Sequence, residues 1–144
     1  MPIVYKDDYG FDVGKGIVLR DKGDIVIFAT GPMVEISLKV ADCLQEEGID
    51  CQVVDIHTIK PLDQDLVKSY SDCRLIVTAE EHSVIGGLGG AVAETLAGMR
   101  TSAPQLMIGV EDYYLHAADY PYLMQRSGLT PDAMVEKIKA KLDD

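Results

Sequence analysis

The chain has 144 residues, 47% of them hydrophobic and 26% charged, which is enough for one soluble domain with its own core. A formal net charge of −11 argues against nucleic acid and anionic lipid as partners, because both are bound by lysines and arginines that displace counterions; any charged partner is expected to be basic. No run approaches the roughly 20 apolar residues of a membrane span, and the start MPIVYKDDYG has neither a basic nor an apolar leader region, so no membrane association and a cytoplasmic protein are expected.

Residues 1–13 are polar and aromatic without a helical period and read as a connector. Gly16 to Leu19 is a short apolar run followed by the turn residues Asp21, Lys22, Gly23 and Asp24, the pattern of an edge strand and hairpin. Ile25 to Ala29 is continuously apolar, as expected of a parallel strand covered on both faces. Thr30 is placed to cap the helix that follows, with Pro32 in its first turn. From Met33 to Glu47 the polar residues Glu35, Lys39, Asp42 and Glu46 share a narrow stripe, so the helix presents a wide apolar arc, and Gly48 stops it.

Cys51 to Ile56 is a second strand. The loop from His57 to Asp63 leads to a short helix, Gln64 to Ser71, with Asp63 as its cap. Arg74 to Ala79 is a third strand, ending in Glu80, Glu81 and His82 and then a glycine loop with Gly86, Gly87, Gly89 and Gly90. Leu88, Ala91, Val92, Thr95, Leu96 and Met99 follow at helical spacing. Gln105 to Val110 is a fourth parallel strand, Glu111 to Tyr122 is irregular, and Thr130 with Pro131 opens a last helix carrying Met134, Val135, Ile138 and Leu142. Cys43, Cys51 and Cys73 lie in apolar surroundings without metal-ligand spacing and read as buried thiols in a reducing compartment.

The alternation predicts an α/β fold: a doubly wound, mostly parallel sheet of about five strands with helices on both faces and one antiparallel edge strand. In such a sheet the carboxyl ends of the parallel strands share one edge. Here that edge carries Thr30 and Gly31, Asp55 and His57, Glu80 to His82, and Glu111 and Asp112, with His116 near them.

Three readings of this edge compete. The glycines could cradle a phosphate at a helix N-terminus, but Glu80 and Glu81 precede the loop and the next cation is Arg100, so a dianion would meet carboxylates without a nearby positive charge. Glu80, Glu81, His82, His57 and Asp55 could hold a metal or form an acid and base pair. Adjacent strand residues point to opposite faces, however, and no nucleophile elbow is present. The third reading makes the edge a docking surface for another domain or subunit.

The segments GKGIVLRDKGDIVIFATGPMVEISLKVADCLQEEGIDCQVVDIHTIKPLD, TAEEHSVIGGLGGAVAE and SGLTPDAMVEKI, in that order, resemble the C-terminal domain of transketolase and its thiamine diphosphate enzyme relatives. PIVYKDDYGFDVGKG is similar to the linker that leads out of their pyrimidine-binding domain, which implies a connector over residues 1–13 and a transketolase C-terminal-like domain over 14–144. The resemblance further implies a non-catalytic domain beside a cofactor site it does not form. No catalytic residue, cofactor ligand or metal ligand is carried over to this chain. Thiamine diphosphate and a divalent metal such as magnesium are implied for the parent enzyme, which transfers two-carbon ketol units between sugar phosphates.

The implied partners are the cofactor-binding and pyrimidine-binding domains, in cis or as a separate subunit, within a dimer. Glu80, Glu81, His82, Gly86, Gly87, Gly89 and His57 are assigned to docking by position. Valine at Gly87 or Gly89 is expected to weaken assembly more than the fold. Beta subunits of 2-oxo acid dehydrogenases and deoxyxylulose phosphate synthases show a similar pattern, usually without the histidine at position 82. The segment Glu111 to Tyr122, with Tyr113, Tyr114, His116 and Tyr120, departs from the family, where a glycine-containing loop is commoner. A stand-alone nucleotide or small-ligand module, or a peripheral regulatory site on the same edge, is the alternative from another class.

Overall fold

A computed structural model describes residues 3–144; Met1 and Pro2 of the expected connector lie outside the described residues. Ten elements follow in chain order: β1 (Ile17–Arg20), β2 (Ile25–Ala29), α1 (Met33–Glu46), β3 (Cys51–Asp55), α2 (Gln64–Ser69), β4 (Leu75–Ser83), α3 (Leu88–Ala97), β5 (Gln105–Val110), α4 (Tyr120–Arg126) and α5 (Pro131–Leu142). The strands form one sheet in the order β1-β3-β2-β4-β5, parallel except for β1. The expected architecture is the observed one.

The continuous apolar runs are explained by burial on both sides. Every residue of β2 is fully buried, and alternate side chains serve different layers. Ile25, Ile27 and Ala29 join Val53, Val77 and Ile108 under α1 and α5, while Val26 and Phe28 join Val54 and Ile76 under α2 and α3. The helices reach these layers with Val40, Leu44 and Ile138 on one face and Val67, Val92 and Leu96 on the other.

Local expectations fail at four places, each for a physical reason. β1 does not form a hairpin with β2, because β3 lies between them; β1 pairs antiparallel with β3, Ile17 opposite Asp55. The turn after β1 crosses the start of β3 so closely that a Cβ on Gly23 would sit 2.1 Å from the Asp50 carbonyl oxygen. Thr30 is not a side-chain cap: Pro32 occupies that position without a side-chain hydrogen bond, and the Thr30 amide donates instead to Ala79 at 3.1 Å. β4 runs four residues beyond Ala79, so Glu80 to Ser83 belong to the strand. Its register with β5 shifts between Ala79 and Ser83. Finally, the irregular segment runs into the first turn of a helix, α4, opened by Asp119, whose Oδ1 accepts from the Tyr122 amide at 2.9 Å. The Asp63 cap is as expected, its carboxylate accepting from the Leu66 amide at 3.2 Å.

Candidate functional site

β2 hands its chain to α1 on one face of the sheet and β4 hands its chain to α3 on the other, so the ends of these neighbouring strands form the topological switch point where doubly wound sheets hold their ligands. Glu80 stands at this point, 1% exposed. Its carboxylate turns into the first turn of α3. Oε2 accepts from the Leu88 amide at 2.7 Å and Oε1 from the Gly89 amide at 2.9 Å. The helix N-terminus that follows the glycine loop therefore already holds an anion, supplied by the chain itself. A diphosphate does not fit there, because Glu80 takes the same donors and would repel it. Among the described residues, no group of three or more His, Cys, Asp or Glu side chains is placed to hold a metal ion.

The glycines divide into two kinds. A Cβ on Gly87 would lie 1.9 Å from Glu80 Oε2 and 2.9 Å from His82 Nδ1, and one on Gly89 would meet Met107 and Thr78 at 3.1 Å. These two make room inside the domain, so valine at either position would strain the domain itself as well as any docking contact. Gly86 adopts φ +79°, and neither it nor Gly90 has a neighbour within 4 Å of a Cβ position. Both open onto a groove of about 850 Å³ between α2 and α3, continued along α3 by Ala91, Glu94 and Gly98 and faced by Pro61 and Leu62. Gly89 and Gly90 are residues of α3, not of the loop.

The remaining assigned residues fall into separate places. His82 is largely exposed, its Nδ1 donating to the Ser83 carbonyl at 2.8 Å and lying 3.7 Å from Glu80. Glu81 points to the other face of the sheet and accepts from the Tyr120 hydroxyl at 2.8 Å; that bond pushes the Tyr120 phenol above its ordinary value. His57 lies two strands from β4, beyond β2. Its ring packs on Phe11 with centroids 4.2 Å apart, Nδ1 is 2.8 Å from Thr58 Oγ1, and Nε2 is buried without a partner among the described residues.

The N-terminal segment reaches this part of the edge. Tyr5 donates to the buried Asp55 carboxylate at 2.6 Å, and burial, followed by that bond, raises its phenol well above the ordinary value. Gly16 donates to Asp63 at 3.2 Å. Tyr5 and Phe11 are residues that sequence reasoning passed over, although aromatic side chains in an otherwise polar connector were the available signal. All three cysteines are free, and burial pushes the Cys51 thiol up to about 12.

Residues 14–134 match the family profile of the transketolase C-terminal domain. The chain belongs to this family. A 6-deoxy-6-sulfo-D-fructose transketolase subunit of Clostridium sp. (strain MSTE9) is 41% identical over 126 residues, covering 87% of this chain and 39% of that protein. A 1-deoxy-D-xylulose-5-phosphate synthase of Synechococcus sp. (strain JA-2-3B'a(2-13)) is 39% identical over 130 residues, covering 90% of this chain and 20% of the relative. Among solved structures, a split-gene transketolase described as an inactive β4 tetramer superposes with a TM-score of 0.88 at 38% identity, over 99% of this chain and 46% of that one. The transketolase C-terminal domain thus spans less than half the length of each of these proteins. Among the described residues, no helix is long and apolar enough to cross a membrane.

Proposed function

We propose that this chain serves as the non-catalytic C-terminal section of a transketolase-type enzyme that transfers two-carbon ketol units with thiamine diphosphate and a divalent metal. In this reading the chain packs on the pyrimidine-binding and cofactor-binding domains, completes a dimer in the cytoplasm and binds neither cofactor nor metal itself. Residues 1–13 are the connector from the preceding domain and 14–144 the packing unit.

The observation that carries the reading is the stopper at α3. Glu80 fills the one helix N-terminus that a Gly-rich loop would otherwise offer to a phosphate, while Gly86, Gly90, Ala91 and Gly98 leave the α3 backbone open along a groove. A wall of such small residues lets another domain approach closely. The hold of Tyr5 and Phe11 on the edge, which would fix the direction from which the preceding domain arrives, supports the same reading. The split-gene relative supports it further, since its chain is about twice as long and is inactive as an assembly of β chains alone. The match to a deoxyxylulose phosphate synthase favours a second reading of the parent reaction, with the same role for this domain.

The test is calorimetry and size-exclusion chromatography of the purified chain, alone and mixed with a separately produced protein carrying the cofactor-binding and pyrimidine-binding domains. A complex with that protein, and no thiamine diphosphate bound by the chain alone, is expected. Tight binding of the cofactor to the isolated chain would overturn the proposal. Gly90→Val sharpens it: the position has free space on the domain side, so the variant should fold and lose the complex.

A further inference from the structure

Four of the seven tyrosines in the chain, Tyr113, Tyr114, Tyr120 and Tyr122, fall within ten residues, between β5 and the first turn of α4. All are exposed, from 44% for Tyr113 to completely for Tyr114. A single exposed aromatic residue needs no explanation, but here Tyr113 and Tyr122 both lie against Arg126 and Tyr120 meets Glu81, so exposed rings gather at the start of α4. Two of the hydroxyls are tied to the domain, Tyr120 to Glu81 and Tyr113 to the Arg126 carbonyl at 3.3 Å. The Tyr122 amide is held by Asp119. The Tyr113 and Tyr120 rings are therefore positioned in advance and would lose little freedom on contact.

The same stretch carries exposed carboxylates at Glu111, Asp112 and Asp119, with Glu81 of β4 brought beside it by its bond to Tyr120, against one guanidinium at Arg126. Tyrosine faces beside carboxylates match a planar cation, which stacks on the rings and pairs with the acids; arginine does both and lysine mainly the second. A second copy of this chain is a poor occupant, because it would bring the same carboxylates to the contact and carries a net charge of −11. Tyrosine and arginine are also the residues most enriched at the centres of protein interfaces.

We propose that the face formed by Tyr113, Tyr114, Tyr120 and Tyr122 docks an arginine-bearing segment of a protein partner, with Glu81, Glu111 and Asp112 as its counter-charges. This face shares no residue with the α2–α3 groove, so it extends the docking role to a second surface of defined chemistry.

The experiment is a titration of the isotopically labelled chain with a tetra-arginine peptide, a tetra-lysine peptide and a tetra-glutamate peptide, followed by NMR amide shifts. The arginine peptide should perturb residues 111–122 and Glu81 and bind about threefold or more tighter than the lysine peptide, with no response to glutamate. Tyr114→Ala combined with Tyr122→Ala should abolish the preference for arginine while leaving the melting temperature unchanged. Glu111→Gln with Asp112→Asn should weaken both cationic peptides together. Equal affinity for the arginine and lysine peptides, shifts spread over other acidic faces such as Glu35 and Asp42, or a preference that survives loss of Tyr114 and Tyr122 would each overturn the proposal. No cofactor-bearing domain enters this titration, so its failure is distinguishable from failure of the groove.

Discussion

Glu80 and Glu81 are neighbours on one strand, yet the sheet sends them to different worlds. Glu80 turns into the domain, is almost wholly buried and spends both oxygens on backbone amides of α3. Glu81 turns outward, stays exposed and meets a single phenol from α4. The same chemical group is thus a structural anion in one case and a surface charge in the other. Strand alternation and the start of a helix eight residues on make the difference. A carboxylate at the mouth of a glycine loop is therefore poor grounds for assigning acid–base chemistry: the buried one is committed to backbone amides, and the exposed one meets a phenol.

Breaking the buried side should cost most. Glu80→Ala strips two charge-assisted hydrogen bonds from a buried helix start and should destabilise the domain by about 3 kcal/mol, read as a lower midpoint in urea unfolding. Gly87→Ala attacks the same carboxylate from the other side, since its Cβ would lie 1.9 Å from Glu80 Oε2; a loss of about 2 kcal/mol is expected from the forced displacement. Glu80→Gln keeps one acceptor and loses the charge, so about 1.5 kcal/mol is expected. If all three variants unfolded at the wild-type midpoint, the capping role of Glu80 would be lost.

Much of this was legible in the residues. The unbroken apolar run at Ile25–Ala29 pointed to a two-sided sheet, and the periodicity from Leu88 onward to α3, because both patterns record burial directly. The antiparallel place of β1 was half legible: an edge strand could be read, but pairing with β3 depends on the turn at Gly23 passing over Asp50, a contact between residues 27 positions apart. The end of β4 was hidden because hydrophobicity stops at Ala79 while backbone pairing continues. Gly109 permits it, approaching the His82 carbonyl to within 2.8 Å of a Cβ position. α4 left a readable signal in Asp119 and Pro121, a cap and a first-turn proline, obscured by the aromatic residues around them. In the candidate site, sequence order placed Glu80, His82 and Gly87 near one another, as they are, but could not tell that His57 packs against Phe11 of the N-terminal segment instead.

The exposed side supplies the smallest effect and the most specific one. Glu81→Gln removes a surface acceptor and should shift stability at neutral pH by less than about 0.5 kcal/mol. Its signature is in the titration of tyrosine. The Tyr120 phenol is raised in the folded chain chiefly because it donates a hydrogen bond to Glu81, and a group raised on folding contributes stability that is complete below its unfolded value of 10.0 and fades as pH climbs through the folded value. Tyr5, raised by burial and by Asp55, adds in the same direction. Ultraviolet titration should therefore show at least two tyrosines ionising late in the folded chain. Glu81→Gln should return Tyr120 toward its ordinary range and leave Tyr5 late, whereas Asp55→Asn should advance Tyr5 and leave Tyr120 late. If Glu81→Gln left the alkaline profile unchanged, the Tyr120 bond would be absent in solution.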